Sequence, residues 1–147
     1  MTVVKNSSYE NTDTFESILE SIGKNGFLTI DSIERLSKMF SMQSMSKVKE
    51  IMSEIIKVVF IPSNRTIWMK LGTDKDYIIY PHSYCSCMDF FIHGILKNRK
   101  YYCKHLIAQG IIEQLSVSNP KDIEMTEQDE NFKEKVIQRL ELEHFLN

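Results

Sequence analysis

The sequence lacks the long apolar segments that would place the chain in a membrane. No apolar run approaches the roughly 20 residues that a membrane-spanning helix requires, and residues 1–11 are polar, without the apolar core of a signal peptide. Internal repeats and low-complexity tracts are also missing. These absences predict a soluble, intracellular protein with no membrane partner.

An excess of charge of one sign is missing as well. The 18 Lys and Arg residues face 20 Asp and Glu residues, for a net charge of −2, so no overall field attracts the chain to nucleic acid. Any such binding has to come from a local patch. The length of 147 residues suits about one domain, and a 42% hydrophobic content predicts a packed core.

The motifs of several enzyme classes are absent. The sequence contains no GxxxxGK[ST] loop to hold a nucleotide phosphate. A zincin would need HExxH, and a zinc deaminase would need HxE paired with CxxC; neither is present. We therefore predict that the chain is not an enzyme.

The first half of the chain shows helical periodicity. Residues 1–12 have none and are expected to be flexible. Asp13, with Glu16 three residues later, predicts a capping box for a helix that ends near Gly23. A second helix is predicted from a similar pattern at Asp31, and a third from about residue 46.

The pattern then changes to that of strands. Residues 58–61 and 66–71 predict a hairpin, and residues 77–80 predict a third strand, which gives a small antiparallel meander. Trp68 is expected on the face opposite Ile67, Met69 and Leu71. Two explanations are open for Trp68: packing under a helix, or an anchor for a partner protein.

The three cysteines of the chain form a cluster with one histidine. Cys85 and Cys87 are followed, after fifteen residues, by Cys103 and His105. Three thiolates and one imidazole in two close pairs are typical of a closed, tetrahedral, structural zinc site. His82 lies three residues before Cys85 in the sequence and could compete as a ligand. We expect it instead to face solvent or to lie behind the ligands.

The spacing within each pair also constrains the backbone. A fully extended strand would hold Cys85 and Cys87 too far apart, so a tight knuckle is expected at Ser86. Residues two apart on a helix point to different faces, so Cys103 is expected just before a helix of about ten residues, with His105 in its first turn. The positive end of that helix would favour a thiolate.

A basic and aromatic segment lies between the two ligand pairs and beside the second. Such a mixture can bind phosphates and stack on unpaired bases, or it can be a solvated loop with two tyrosines in a minor core. The residues considered for nucleic-acid or partner contact are Lys97, Arg99, Lys100, Tyr101, Tyr102 and Lys104.

The C-terminal part, residues 119–147, is predicted to be an acidic connector followed by a helix. Phe132, Val136 and Leu140 form the apolar face of that helix. This face either docks in a partner groove or packs on its own domain. The sequence therefore predicts an α+β domain over residues 13–118. The domain comprises N-terminal helices, a small antiparallel β-meander, and a CxC/CxH zinc knuckle leading into a helix. The C-terminal helix follows it.

The cluster resembles the SWIM zinc finger. The segments Tyr84-Cys85-Ser86-Cys87, Cys103-Lys104-His105-Leu106-Ile107-Ala108 and Leu115-Ser116-Val117-Ser118 are similar to those of the short SWIM-domain subunits of the Shu complex. The match covers about a quarter of the chain, with the zinc finger over about residues 77–115. The small residue of the motif corresponds to Ala108, and the roles of Phe90 and Phe91 stay open.

This resemblance implies a role in the nucleus, in homologous recombination repair of DNA damage. Such subunits are zinc-binding adaptors that pair with a RecA-like recombinase paralogue and promote assembly of the recombinase filament on single-stranded DNA. It also implies that Cys85, Cys87, Cys103 and His105 hold one Zn²⁺. Contact with single-stranded DNA would then be mostly indirect; the alternative is direct binding through the basic loop 97–104.

Overall fold

The computed structural model describes residues 13–71, 75–115 and 122–126. The predicted flexible N-terminus at 1–12, most of the turn before the third strand and the predicted C-terminal helix lie outside these ranges. The described elements are three N-terminal helices, a five-stranded sheet and two further helices. In chain order they are α1 (Phe15–Asn25), α2 (Ile30–Phe40), α3 (Met42–Ile51), β1 (Ile55–Ile61), β2 (Thr66–Lys70), β3 (Tyr77–Tyr80), β4 (Tyr84–Cys85), α4 (Met88–Phe90), α5 (Lys104–Leu115) and β5 (Asp122–Thr126).

Helix α1 begins one residue later than predicted. Thr14 is the N-cap: its hydroxyl accepts a hydrogen bond from the backbone amide of Ser17, and the Ser17 hydroxyl accepts one from the amide of Thr14, each at 3.1 Å. The predicted cap at Asp13, with Glu16 as its partner, was wrong. Asp13 instead accepts two hydrogen bonds from the Arg35 guanidinium, at 2.6 and 2.8 Å, which ties the start of α1 to α2.

The end of α1 and the start of α2 also differ from the prediction. The helix continues past Gly23 and ends at Gly26, whose φ of 76° places it in the left-handed region that glycine adopts without strain. Helix α2 is capped by Thr29, whose hydroxyl accepts from the amide of Ser32 at 3.0 Å, so the predicted cap at Asp31 was two residues late.

The antiparallel meander is confirmed, with an addition. The strand order is β4-β3-β2-β1-β5, and the first four strands pair antiparallel in sequence. Strand β5 pairs parallel with β1, with Val58 opposite Ile123, and the Lys57 Nζ lies 3.5 Å from the Asp122 carboxylate. This strand lies in the segment predicted only as an acidic connector.

The main core lies between the helices and one face of the sheet. Trp68 is buried in this core, which settles its orientation in favour of packing under the helices. Ile67, Met69 and Leu71 point to the opposite face, as predicted, and pack with Ile56 and Val58 in a second, smaller cluster.

Helix α5 is the central helix of the main core. Its residues from His105 to Ile111 are all buried, and it contacts α1, α3 and the sheet. None of the helices in the described ranges combines the length and the apolarity needed to cross a bilayer.

Candidate metal centre

The first cysteine lies at the end of the short strand β4. Cys85 pairs with Ile79 on β3, and the chain then turns at Ser86. The amide of Ser86 donates to the carbonyl of Ile78 at 3.0 Å, while the Ser86 hydroxyl accepts from the amide of Ile78 at 2.9 Å. These two bonds fix the predicted knuckle, so that Cys85 and Cys87 turn toward one point.

The second cysteine begins a helical segment that the sequence analysis did not predict. Cys87 is the N-cap of α4, and its sulfur accepts a hydrogen bond from the amide of Phe90 at 3.4 Å. A π-helical turn, Phe91–Ile95, continues directly from α4. The free amides at the start of a helix favour negative charge on the Cys87 sulfur.

The second pair is arranged at the start of α5 as predicted. Cys103 immediately precedes the helix, and its carbonyl accepts from the amide of Ile107 at 3.1 Å. His105 is the second helical residue. The ring of Tyr77 packs 4.8 Å from the imidazole, centroid to centroid, and thus supports the orientation of the histidine from the sheet side.

The four side chains converge on one buried point. Their candidate donor atoms all lie within 4.8 Å of one another. The Nδ1 atom of His105 lies 3.7 Å from the Cys85 sulfur and 4.0 Å from the Cys103 sulfur. Bond lengths of about 2.3 Å to sulfur and 2.0 Å to nitrogen give tetrahedron edges of roughly 3.5 to 3.8 Å, so the cluster fits one structural zinc ion.

Hydrogen bonding within the cluster separates the pKa values of the thiols. Bonds from Cys103 and Cys85 hold the pKa of Cys87 far below its usual range. For Cys85 the bond from Cys103 lowers the pKa, but the bond to Cys87 and burial outweigh it and raise the pKa to about 12. Hydrogen bonds to Cys85 and Cys87, with burial, raise the pKa of Cys103 well above its usual range. A divalent cation supplies the positive charge that three buried thiolates require.

The other two histidines among the described residues, His82 and His93, lie apart from this cluster. His82 is exposed, with a φ of 62°, and is not among the four converging residues. The Nδ1 atom of His93 lies 2.9 Å from the carboxylate of Asp89. His144 lies outside the described residues.

Two of the basic-loop residues contact the N-terminal helix. The hydroxyl of Tyr102 donates to the Glu16 carboxylate at 2.6 Å, and Lys100 Nζ donates to the same oxygen at 3.0 Å. These bonds lower the pKa of Glu16 to about 2, and the bond from Tyr102 has the largest effect. The ring of Tyr102 packs 4.7 Å from that of Phe15, so the loop is fastened to α1.

Two more of these side chains are hydrogen-bonded to the helical segment that precedes the loop. The hydroxyl of Tyr101 donates to the Asp89 carboxylate at 2.9 Å, and burial together with this bond raises the pKa of Tyr101 to about 12. Arg99 Nε donates to the carbonyl of His93 at 2.8 Å, and its guanidinium lies 5.6 Å from the Tyr101 ring centre. Lys97 and Lys104 are exposed.

The helical character of residues 88–96 was not predicted from the sequence. Phe90 is buried and its ring packs 5.6 Å from that of Tyr84, whereas Phe91 is exposed. The signal was present: large apolar residues recur at the helical spacing i, i+3, i+4, i+7 and i+8. They are Met88, Phe91, Ile92, Ile95 and Leu96.

These features define a class of protein. A buried three-cysteine, one-histidine cluster, split between a CxC knuckle at a strand end and a CxH at a helix start, is the arrangement of a SWIM zinc finger. The chain is 33% identical to zinc finger SWIM domain-containing protein 7 homolog of Dictyostelium discoideum. That similarity extends over 130 residues, 84% of this chain and 82% of the relative.

The chain therefore belongs to the zinc finger SWIM domain-containing protein 7 family. No family model matches the sequence, and no solved structure matches it.

Proposed function

We propose that the chain is a zinc-stabilised adaptor in homologous recombination. In this role it pairs in the nucleus with a RecA-like recombinase paralogue and promotes assembly of the recombinase filament on single-stranded DNA. The observation that carries the proposal is the membership of nearly the whole chain in the SWIM-domain 7 family, combined with a buried zinc centre of the kind that stabilises a fold.

The metal has a structural role in this proposal. We propose Cys85, Cys87, Cys103 and His105 as the four ligands, because their donor atoms lie within 4.8 Å of one another. Four such ligands would complete a tetrahedron around one zinc ion. A catalytic zinc keeps an open position for water, which four protein ligands do not leave. Zinc supplies the positive charge that joins the β4 knuckle to the start of α5, and the surrounding surface is then available for a partner.

A second candidate function is direct binding of single-stranded DNA. A cavity of about 540 Å³ opens between the N-terminal helices and the basic loop, and Lys47, Tyr101, Tyr102 and Lys104 are among the residues that line it. Amines for phosphates and rings for bases are the groups that such binding uses. Two observations weigh against DNA binding as the main function and favour the adaptor. The overall charge of −2 does not attract nucleic acid, and the hydroxyls of Tyr101 and Tyr102 are already hydrogen-bonded to carboxylates.

The adaptor proposal is tested by affinity purification of the tagged chain from its own cells. The extract is treated with nuclease so that DNA cannot bridge proteins, and the co-purifying proteins are identified by mass spectrometry. We expect a RecA-like protein with the wild-type chain and its loss with Cys103→Ser. Absence of any RecA-like protein from the wild-type sample would contradict the adaptor proposal.

The DNA alternative is tested on the same purified chain, with a fluorescent single-stranded oligonucleotide. If loop 97–104 and the adjoining cavity bind DNA, Lys47→Glu weakens binding and the wild-type affinity falls steeply with salt. Binding that is undetectable at physiological salt in the absence of partners would exclude this alternative.

A further inference from the structure

The helical segment between the two ligand pairs has an exposed apolar face. Met88, Phe91, Ile92, Ile95 and Leu96, here called the apolar stripe, are each at least 41% exposed. Their spacing places all five on one side of the segment formed by α4 and the π-helical turn. Five large apolar side chains within nine residues form a contiguous patch, which marks an interaction site on a soluble protein.

The opposite side of the same segment is packed on the domain. Phe90 and Gly94 are buried, with Phe90 in the main core. The segment is therefore held in place by its inner face, and its outer face is directed away from the core. Burial of one face explains why the segment is helical, but it does not explain the apolar residues on the other face.

Both ends of the segment are fixed. Cys87 caps the first turn through its sulfur, so a zinc ligand also positions the start of the stripe. At the other end, the amide of Arg99 donates to the carbonyl of Gly94 at 3.1 Å, and its side chain donates to the carbonyl of His93 at 2.8 Å. A stripe held in this way loses little conformational entropy on binding.

The charges beside the stripe indicate the chemistry of its partner. Lys97 directly follows Leu96, is exposed and has no ion-pair partner in the part of the chain that the structure describes. Arg99 bonds to a carbonyl and lies over a ring, so its positive charge is not matched by a carboxylate there. The nearby carboxylate of Asp89 is already bonded to Tyr101 and His93.

We infer that the apolar stripe inserts into an apolar groove of the RecA-like partner, with acidic side chains of that partner at the end that receives Lys97 and Arg99. This inference rests on the proposed function and names the face that performs it. The mode is that of a helix in a groove, in which residues at helical spacing are the anchors. Complementary charge at the rim fixes the orientation of the helix and raises the association rate.

The test uses the full-length chain, loaded with zinc, and the RecA-like partner recovered with it. In the stripe variant, Ile92→Gln is combined with Ile95→Gln, both at exposed positions. The matched control combines Phe27→Gln with Ile30→Gln, two more exposed apolar residues near the turn between α1 and α2. Affinity for the partner, zinc content and thermal stability are measured for each protein.

We expect the stripe variant to lose more than about tenfold in affinity, while it keeps one zinc and the wild-type thermal stability. The control is expected to bind as the wild type does. Lys97→Glu is expected to weaken binding severalfold at low salt, with a smaller effect at high salt because screening weakens the attraction to the acidic rim.

Three results would overturn the inference. If the stripe variant binds the partner as tightly as the wild type, the partner uses another face and the adaptor proposal stands without this site. If the wild-type chain binds no RecA-like protein, the proposed function fails and the inference fails with it. A photo-crosslinker placed at Ile92 that links only to the same chain, or to a second copy, would show that the stripe has a different occupant.

Discussion

At the scale of single residues, each of the four clustered side chains is positioned by a local backbone feature. Cys85 belongs to a strand pair, Cys87 caps a helical segment, and Cys103 and His105 begin α5. The local fold thus directs all four donor atoms inward. The apparent free energy of zinc binding at a structural site is on the order of 10 kcal/mol, comparable to the about 5–15 kcal/mol that holds a whole domain folded.

The substitution Cys103→Ser is therefore expected to remove zinc and the cooperative folding of the second half of the chain. A serine hydroxyl does not ionise as a thiol does and is a poor zinc ligand, and the remaining thiols stay buried without the cation that balances them. Zinc content by atomic emission and thermal unfolding by circular dichroism measure both effects. Full zinc content together with unchanged thermal stability would refute the role of Cys103.

The matched control for this experiment is His82→Asn. His82 is close to Cys85 in sequence but is exposed and lies outside the cluster, and asparagine tolerates its positive φ. This variant is expected to keep one zinc and wild-type stability. Loss of zinc from His82→Asn would show that the ligand set differs from the one proposed.

A second residue-scale prediction concerns the Glu16 carboxylate, whose contribution to folding stability depends on pH. Its pKa in the folded chain is about 2, below the ordinary value of 4.5, so the ionised form stabilises the fold. This contribution is complete above about pH 4.5 and is lost as the pH falls toward 2. Because the side chain is 46% exposed, solvent screening limits the contribution to about 1 kcal/mol.

Urea unfolding of the wild type and of Glu16→Gln at a series of pH values measures this contribution. We expect the wild type to be more stable at pH 7, with a difference that shrinks as the pH falls below about 4.5. Zinc release in acid affects both proteins and cancels in the difference. The control is Glu20→Gln, because among the described residues Glu20 pairs with the exposed Lys24 on the same helix alone. A difference that grows in acid would contradict the assignment.

At the scale of elements, the close crossing of α1 and α5 depends on one glycine. A Cβ atom added at Gly110 would lie 2.9 Å from Leu19 Cδ1 and 3.1 Å from Phe15 Cζ, and both of those side chains are buried. We expect Gly110→Ala to destabilise the fold by about 1–3 kcal/mol, because overpacking of the core outweighs the higher helix propensity of alanine.

The control for Gly110→Ala is the same substitution at Gly23. There the added Cβ would meet only the end of the Gln114 side chain, which is half-buried and able to move. Gly23→Ala is therefore expected to be neutral or to stabilise by up to about 1 kcal/mol through helix propensity. Chemical denaturation of both variants compares the two sites. Equal effects at Gly110 and Gly23 would contradict the close crossing.

Several elements were predictable because their signals are local. The hairpin, the knuckle at Ser86 and the helix that starts after Cys103 follow from periodicity and from ligand spacing. The helix caps were harder, because Asp13 and Thr14 are both good N-caps, and the choice was decided by the distant pairing of Asp13 with Arg35.

Two elements were missed, and one of them depends on a contact that the sequence does not reveal. Strand β5 is acidic at alternate positions, and it forms only because β1 offers a free edge for parallel pairing. The helical segment at 88–96 was overlooked although its apolar residues recur at helical spacing in the sequence. The convergence of the four predicted cluster residues is confirmed, because their donor types and spacing follow from metal chemistry. Their role as zinc ligands stays a prediction.

At the scale of the whole molecule, the metal centre connects parts that are distant in sequence. It joins the end of the sheet at Cys85 to α5 at Cys103, and α5 in turn packs on α1 and α3. The basic loop adds a second connection to α1 through Glu16. Zinc is therefore expected to stabilise the core as a unit, and the proposed partner-binding surface would depend on that core.

The most direct test of this account is hydrogen exchange of the purified chain before and after removal of zinc by a chelator, with native mass spectrometry to count the metal. We expect one zinc per chain, strong protection of the amides of α5 with zinc bound, and loss of that protection on chelation. Added zinc should restore it. If α5 stays equally protected after the metal has been removed, zinc does not hold the fold together and the central claim is wrong.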